Sequence, residues 1–65
     1  MSYHERIKIR RGDRVTFNHV VTDKSFTNYI GVVTAVGNDL MTVLLYGGGY
    51  KTFDLVNVGD YQVIA

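Results

Sequence analysis

Few residues in this 65-residue chain are of the kinds that do covalent chemistry, and their spacing gives them no partners. There is no cysteine to serve as a nucleophile or to form a bridge. Ser2 and Ser25 lack the glycine-flanked elbow that lifts a reactive serine clear of its strand. A hydrolytic pair would have to be drawn from Asp13, Asp23, Asp39, Asp54 and Asp60. These are scattered along the chain, mostly beside glycine, lysine or asparagine, where aspartate serves turns and stays solvated. Two histidines, His4 and His19, are too few for a zinc site. His19 falls on the same predicted strand face as Val15 and Phe17, which makes it a rim or core histidine. Gly47-Gly48-Gly49 followed by Lys51 has the composition of a phosphate cradle, but such a loop needs a helix N-terminus after it. Here strand signals lie on both sides, so the triplet reads as a hairpin turn. Arg11-Gly12-Asp13 likewise reads as a turn rather than an adhesion motif. The expectation is a protein that is not an enzyme and carries no metal and no cofactor.

Two features point to binding instead. The first is charge. Residues 1–14 hold Arg6, Lys8, Arg10, Arg11 and Arg14 against Glu5 and Asp13, a local balance of +3. The rest holds Lys24 and Lys51 against Asp23, Asp39, Asp54 and Asp60, a balance of −2, within a total of +1. Arg6, Lys8 and Arg10 alternate, and Arg11 and Arg14 extend them into a stripe able to meet successive phosphates, each contact salt-sensitive. The same charges also suit an edge strand that must resist aggregation. The second feature is aromatic. Eight residues are Phe or Tyr, more than so small a core can hold. Phe17, Phe53 and Tyr61 are expected inside. Phe26 and Tyr29, with Tyr46 and Tyr50 flanking the glycine triplet, are expected as an exposed partner-binding cluster, since tyrosine is favoured at interfaces.

The elements that must position these residues are strands. β-branched residues are plentiful and helical periodicity is weak. Residues 6–10 alternate, with Ile7 and Ile9 inward. Gly12 and Asp13 make a turn, and residues 14–21 form a strand with Val15, Phe17 and His19 on one face. Residues 22–28 are polar and read as a loop. Residues 29–36 are apolar on both faces, so the sequence leaves their inward side open. Gly37-Asn38-Asp39 makes a hairpin turn into a strand over 40–46. Residues 50–54 form a further strand, 55–60 contain a 3₁₀ turn, and 61–64 close the chain. The whole is one domain, 1–65, with residues 1–6 read either as a mobile arm or as the start of the first strand.

Ile7-Lys8-Ile9, then Gly12-Asp13-Arg14-Val15, then Gly31-Val32-Val33 resemble the opening of KOW-type and related SH3-like barrels. In that family the Gly-Asp turn leads into the first barrel strand and the second glycine lets the next strand bend. The resemblance covers residues 7–46 and implies an all-β fold, a small five-stranded SH3-like barrel. Barrels of this kind bind RNA, DNA, proteins and small ligands alike. This chain carries Phe26 and Tyr29 where KOW loops carry glycines. The Gly-Asp-Arg-Val opening is also that of plasmid-type dihydrofolate reductases, but their Val-Gln-Ile-Tyr pore motif is absent.

A chain this short buries only about 60% of its unfolded surface, so its core is marginal and self-association is an option for it. No apolar run approaches the ~18 residues of a membrane span, and the N-terminus lacks the apolar stretch of a signal peptide. The opening methionine is expected of a complete small protein, though an excised domain can also begin that way, and the absence of cysteine fits the expectation of a soluble cytoplasmic one. The functional expectation is a protein-binding module, a small regulator or inhibitor of a larger machine of the kind phages and plasmids encode. The alternative is a nucleic-acid-binding barrel that uses the basic N-terminal segment.

Overall fold

β-branched and aromatic residues, punctuated by glycine turns, carry most of the chain into strands. The computed structural model describes residues 9–22 and 25–64. Five strands form one antiparallel sheet: β1 (Arg14–Thr22), β2 (Ser25–Val36), β3 (Leu40–Leu45), β4 (Tyr50–Asp54) and β5 (Val58–Val63). A single 3₁₀ turn, Leu55–Asn57, joins β4 to β5. Strand order is β4-β3-β2-β1-β5, so the last strand returns to pair with the first. Among the described residues no ladder joins β4 to β5, and the sheet is not closed.

One face of the sheet carries the core. Val15 and Phe17 of β1, Val33 of β2, Met41 and Val43 of β3 and Phe53 of β4 are all buried there. Leu55 and Val58 fill the remaining space. The Leu55 N–H donates to the Asp39 carbonyl at 2.8 Å, tying the 3₁₀ turn to the β2–β3 hairpin while its side chain enters the core. Phe17 and Phe53 meet edge to face at 4.9 Å, the arrangement their ring quadrupoles favour.

The doubly apolar strand is thereby resolved. Tyr29, Gly31 and Val33 face the core, and Ile30 and Val32 face away. Register settles this, because Tyr29 lies opposite Phe17 and Gly31 opposite Val15. A bulge between Val33 and Ala35 then bends β2 as it runs along β3.

The Gly-Asp turn does more than reverse the chain. Gly12 sits at φ +97°, its N–H donates to the Val33 carbonyl at 2.6 Å, and Val33 N–H donates to the Asp13 carbonyl at 3.0 Å. The entry to β1 is therefore stitched to the middle of β2. No atom lies within 4 Å of where a Gly12 Cβ would stand, so Gly12→Ala would suffer backbone strain alone. Its expected cost is about 1–2 kcal/mol, read as a lower urea midpoint with an unchanged slope.

Three expectations need correcting. The loop expected over residues 22–28 is not seen in its described part: β1 runs to Thr22 and β2 starts at Ser25, with Thr22 opposite Ser25 and Val20 opposite Phe26. Thr22 and Ser25–Asn28 form an exposed ribbon end, which needs no apolar alternation because none of it is buried. The last strand begins at Val58 rather than Tyr61, with a register shift between Thr16 and Asn18 and Asp60 at φ +49°. Of the opening segment, Arg6, Ile7 and Lys8 lie outside the described residues; Ile9 packs against the core, and Arg10 is exposed and outside any strand.

Tyr61 packs against the core as expected, but its hydroxyl is buried without a hydrogen-bond partner among the described residues. Burial, with the Asp13 carboxylate adding to it, pushes its pKa from 10.0 to about 12. A raised native pKa stabilises the fold below pH 10, and that contribution disappears as pH rises from 10 to about 12. Tyr61→Phe is expected to raise stability by about 1 kcal/mol at neutral pH, because it removes an unpaired buried hydroxyl. It should also flatten the loss of stability between pH 10 and 12; alkaline denaturation curves of both proteins check this.

Candidate interaction face

Alternation along the strands places a second set of large side chains on the face away from the core. Arg14 on β1, Ile30 and Val32 on β2, Leu44 on β3 and Tyr50 on β4 form adjoining rows, since Arg14 pairs with Val32, Val32 with Leu44 and Leu44 with Tyr50. Elsewhere on this face Thr42 and Thr52 satisfy each other at 2.9 Å, and Thr16 donates to the Tyr29 carbonyl at 3.2 Å. Of the aliphatic side chains, Ile30 and Ile64 are exposed, and Val32 and Leu44 are half-buried between them. Ile30, Val32, Leu44, Tyr46 and Ile64, with Arg14 among them, line an open groove of about 560 Å³.

Tyr46 stands over this groove and is 87% exposed, yet its backbone is fixed on both sides. Its own N–H donates to the Ile30 carbonyl at 2.9 Å, and in the turn that follows, Leu45 N–H donates to Gly49 and Gly48 N–H to Leu45, each at 2.9 Å. Gly48 and Gly49 both have positive φ, which lets the chain reverse this tightly. The glycine triplet thus works as a hairpin turn that holds an exposed aromatic ring. Tyr50, on the other side of the turn, is 70% exposed.

The four aromatic candidates do not form one cluster. Tyr46 and Tyr50 share the face with the groove, and Phe26, 60% exposed, lies farther along it, opposite Val20 on the ribbon end. Tyr29 is on the core face, half-buried, with its ring 4.9 Å from Phe53 and 5.8 Å from Phe17. Strand alternation explains the split: residues 26 and 29 are an odd number apart on one strand, so they cannot share a face.

The basic candidates also separate. Arg14 lines the groove, while Arg10 and Arg11 are exposed at the turn that precedes β1. Arg6 and Lys8 lie outside the described residues. His19 is half-buried on the core face, its ring edge-on to Phe53 at 5.2 Å. Among the described residues no three His, Cys, Asp or Glu side chains gather as metal ligands. No helix among them is long and apolar enough to cross a membrane.

Sequence reasoning did not single out Ile30, Val32, Leu44 or Ile64, because it left open which face of residues 29–36 is inward. The signal was present in the two-sided apolarity of residues 29–36: on a one-sided sheet one of those faces has to be left uncovered. No protein-family model matches this chain, and no curated protein and no solved structure matches it either.

Proposed function

We propose that this chain is a non-enzymatic protein-binding module that receives an apolar segment of a protein partner in the groove beneath Tyr46. The observation that carries the reading is the groove itself: aliphatic side chains left partly uncovered on the face opposite a filled core, beside an aromatic ring whose backbone is fixed. Contiguous exposed apolar surface of this kind marks interaction sites. Tyrosine anchors supply large contact area at small entropic cost. Arg14 in the lining supplies a charge that favours an acidic residue beside the partner's apolar segment. Arg10 and Arg11, close by in sequence, would steer such a partner toward the site.

The strand order, with β5 returning to β1 and Leu55 and Val58 filling the open side of the core, supports reading the sheet as a small SH3-like barrel. A module of this size suits a regulator or inhibitor of a larger machine, in the cysteine-free setting of a cytoplasm. A nucleic-acid partner is the second reading, favoured by the exposure of Arg10, Arg11 and Arg14 together with Tyr46.

Affinity capture from lysate, with nuclease and at high salt, separates the two. The module reading expects a stoichiometric protein retained under both treatments and lost with Ile30→Asp, a groove residue that is already 41% exposed. Capture that disappears with nuclease and salt, or that Ile30→Asp leaves unchanged, would overturn it.

A further inference from the structure

On the core face, at the end of the sheet where β1, β2 and β4 run past the last buried residues, three polar side chains surround one ring. Lys51 lies opposite the buried Val43 and so points to the core side, although it is exposed. Its Nζ stands 5.5 Å from the centroid of Tyr29 and 5.8 Å from that of Phe53, and it donates to the Tyr29 hydroxyl at 3.4 Å. His19 packs on the same two rings, 5.2 Å from Phe53 and 6.5 Å from Tyr29.

Counting donors and acceptors shows what this arrangement lacks. The Lys51 ammonium has three N–H groups and uses one on Tyr29. Tyr29 accepts that bond, and its own O–H finds no acceptor among the described residues. The His19 ring makes no hydrogen bond among them either. Nor does any described carboxylate pair with Lys51; Asp60 is taken up by Asn18 at 2.9 Å. The cluster is thus a set of unused donors carrying a net positive charge. An ordinary surface lysine sweeps through many rotamers, but this ammonium rests against two rings and a hydroxyl, so part of its ordering cost is met before any ligand arrives.

We propose that Lys51, Tyr29 and His19 form a binding site for an oxyanion, the acceptor-only chemistry that a carboxylate and a phosphoryl group share. The ammonium supplies charge, and the tyrosine hydroxyl supplies a directed donor whose oxygen is already polarised by Lys51. The imidazole supplies a second flank. The site lies on the opposite face from the groove and stands or falls independently of the protein-binding reading.

The test is a heteronuclear NMR titration of the full chain with sodium phosphate and, separately, sodium acetate, at ionic strength held constant with chloride. The expected result is saturable, millimolar-range shifts of the Lys51, Tyr29 and His19 side chains with at least one of the two anions. The tighter of the two then names the source, phosphoryl or carboxylate. Tyr29→Phe keeps the ring and removes only the hydroxyl, and it is expected to weaken binding by about two- to tenfold. Lys51→Met keeps the apolar stem on the rings and is expected to abolish saturation. Shifts that stay linear for both anions, or saturable binding unchanged in Tyr29→Phe, would overturn the proposal even if Lys51→Met failed to fold.

Discussion

Gly31→Ala is expected to unfold most of the protein. A Cβ at this position would collide with the Leu44 backbone oxygen and would stand 2.6 Å from Val43 Cγ1. The side-chain contact could relax by rotation, but the backbone contact could not, because Leu44 is held in register against Val32 on one side and Tyr50 on the other. Relief would require β2 and β3 to separate where Gly31 pairs with Leu45. Overpacking costs about 1–3 kcal/mol where the surroundings can shift; a clash with fixed backbone exceeds that range and reaches the about 3–5 kcal/mol that a core this small supplies in total. Circular dichroism and urea unfolding should show a largely unfolded chain at 25 °C. The contrast with Gly12→Ala is diagnostic: that glycine is needed for its positive φ and has free space around it, whereas Gly31 is needed for its lack of a side chain. Equal effects of the two substitutions would mean that β2 and β3 are not packed as closely as described.

Phe53→Ala has a comparable expected effect for a different reason. Phe53 is the hub of the aromatic stack, edge-on to Phe17 at 4.9 Å, 4.9 Å from Tyr29 and 5.2 Å from His19. It comes from β4, an edge strand whose other residues are all exposed, so it is the main apolar anchor of that strand. Truncation removes the buried ring and leaves a cavity walled by residues of β1 and β2, at a cost of about 3–5 kcal/mol. Phe53→Leu refills most of the volume and should retain a cooperative transition. Hydrogen exchange adds a spatial readout. In Phe53→Leu, amides of β4 should lose protection before those of β1 and β2, because the edge strand has the least other packing to hold it. Uniform loss across the sheet would instead mean that β4 is secured by its ladder with β3 rather than by the ring.

How much of this the sequence made legible depended on whether each signal was local. The turns were readable from their glycine and Asx residues: Gly12-Asp13, Gly37-Asn38-Asp39 and the glycine triplet all lie where the chain reverses, with positive φ at Gly12, Gly48 and Gly49. The strand Tyr50–Asp54 and the 3₁₀ turn were readable from their boundaries. The ribbon end at residues 20–27 was not, since an exposed strand pair satisfies its backbone through its own ladder and leaves no apolar pattern behind. The inner face of β2 was settled by cross-strand register, which is a tertiary property. The site followed the same division. Exposure of Tyr46 and Tyr50 could be expected from their place beside the glycine turn, but the groove that Tyr46 lines is built from three strands, β1, β2 and β3, together with Ile64. The Lys51–Tyr29–His19 cluster joins residues 22 and 10 positions apart in sequence, and no short motif announces it.

On the proposed function, the face opposite the core, beside Tyr46, receives a protein partner. Photo-crosslinking from that position tests it most directly. A photoreactive phenylalanine analogue is placed at position 46 and, in a control, at position 56, where Val56 is 72% exposed on the 3₁₀ turn away from the groove. Irradiation in lysate is predicted to give one discrete protein adduct from position 46, abolished by Ile30→Asp, and none from position 56. Equal adducts from both positions, or crosslinking only to nucleic acid, would contradict the claim.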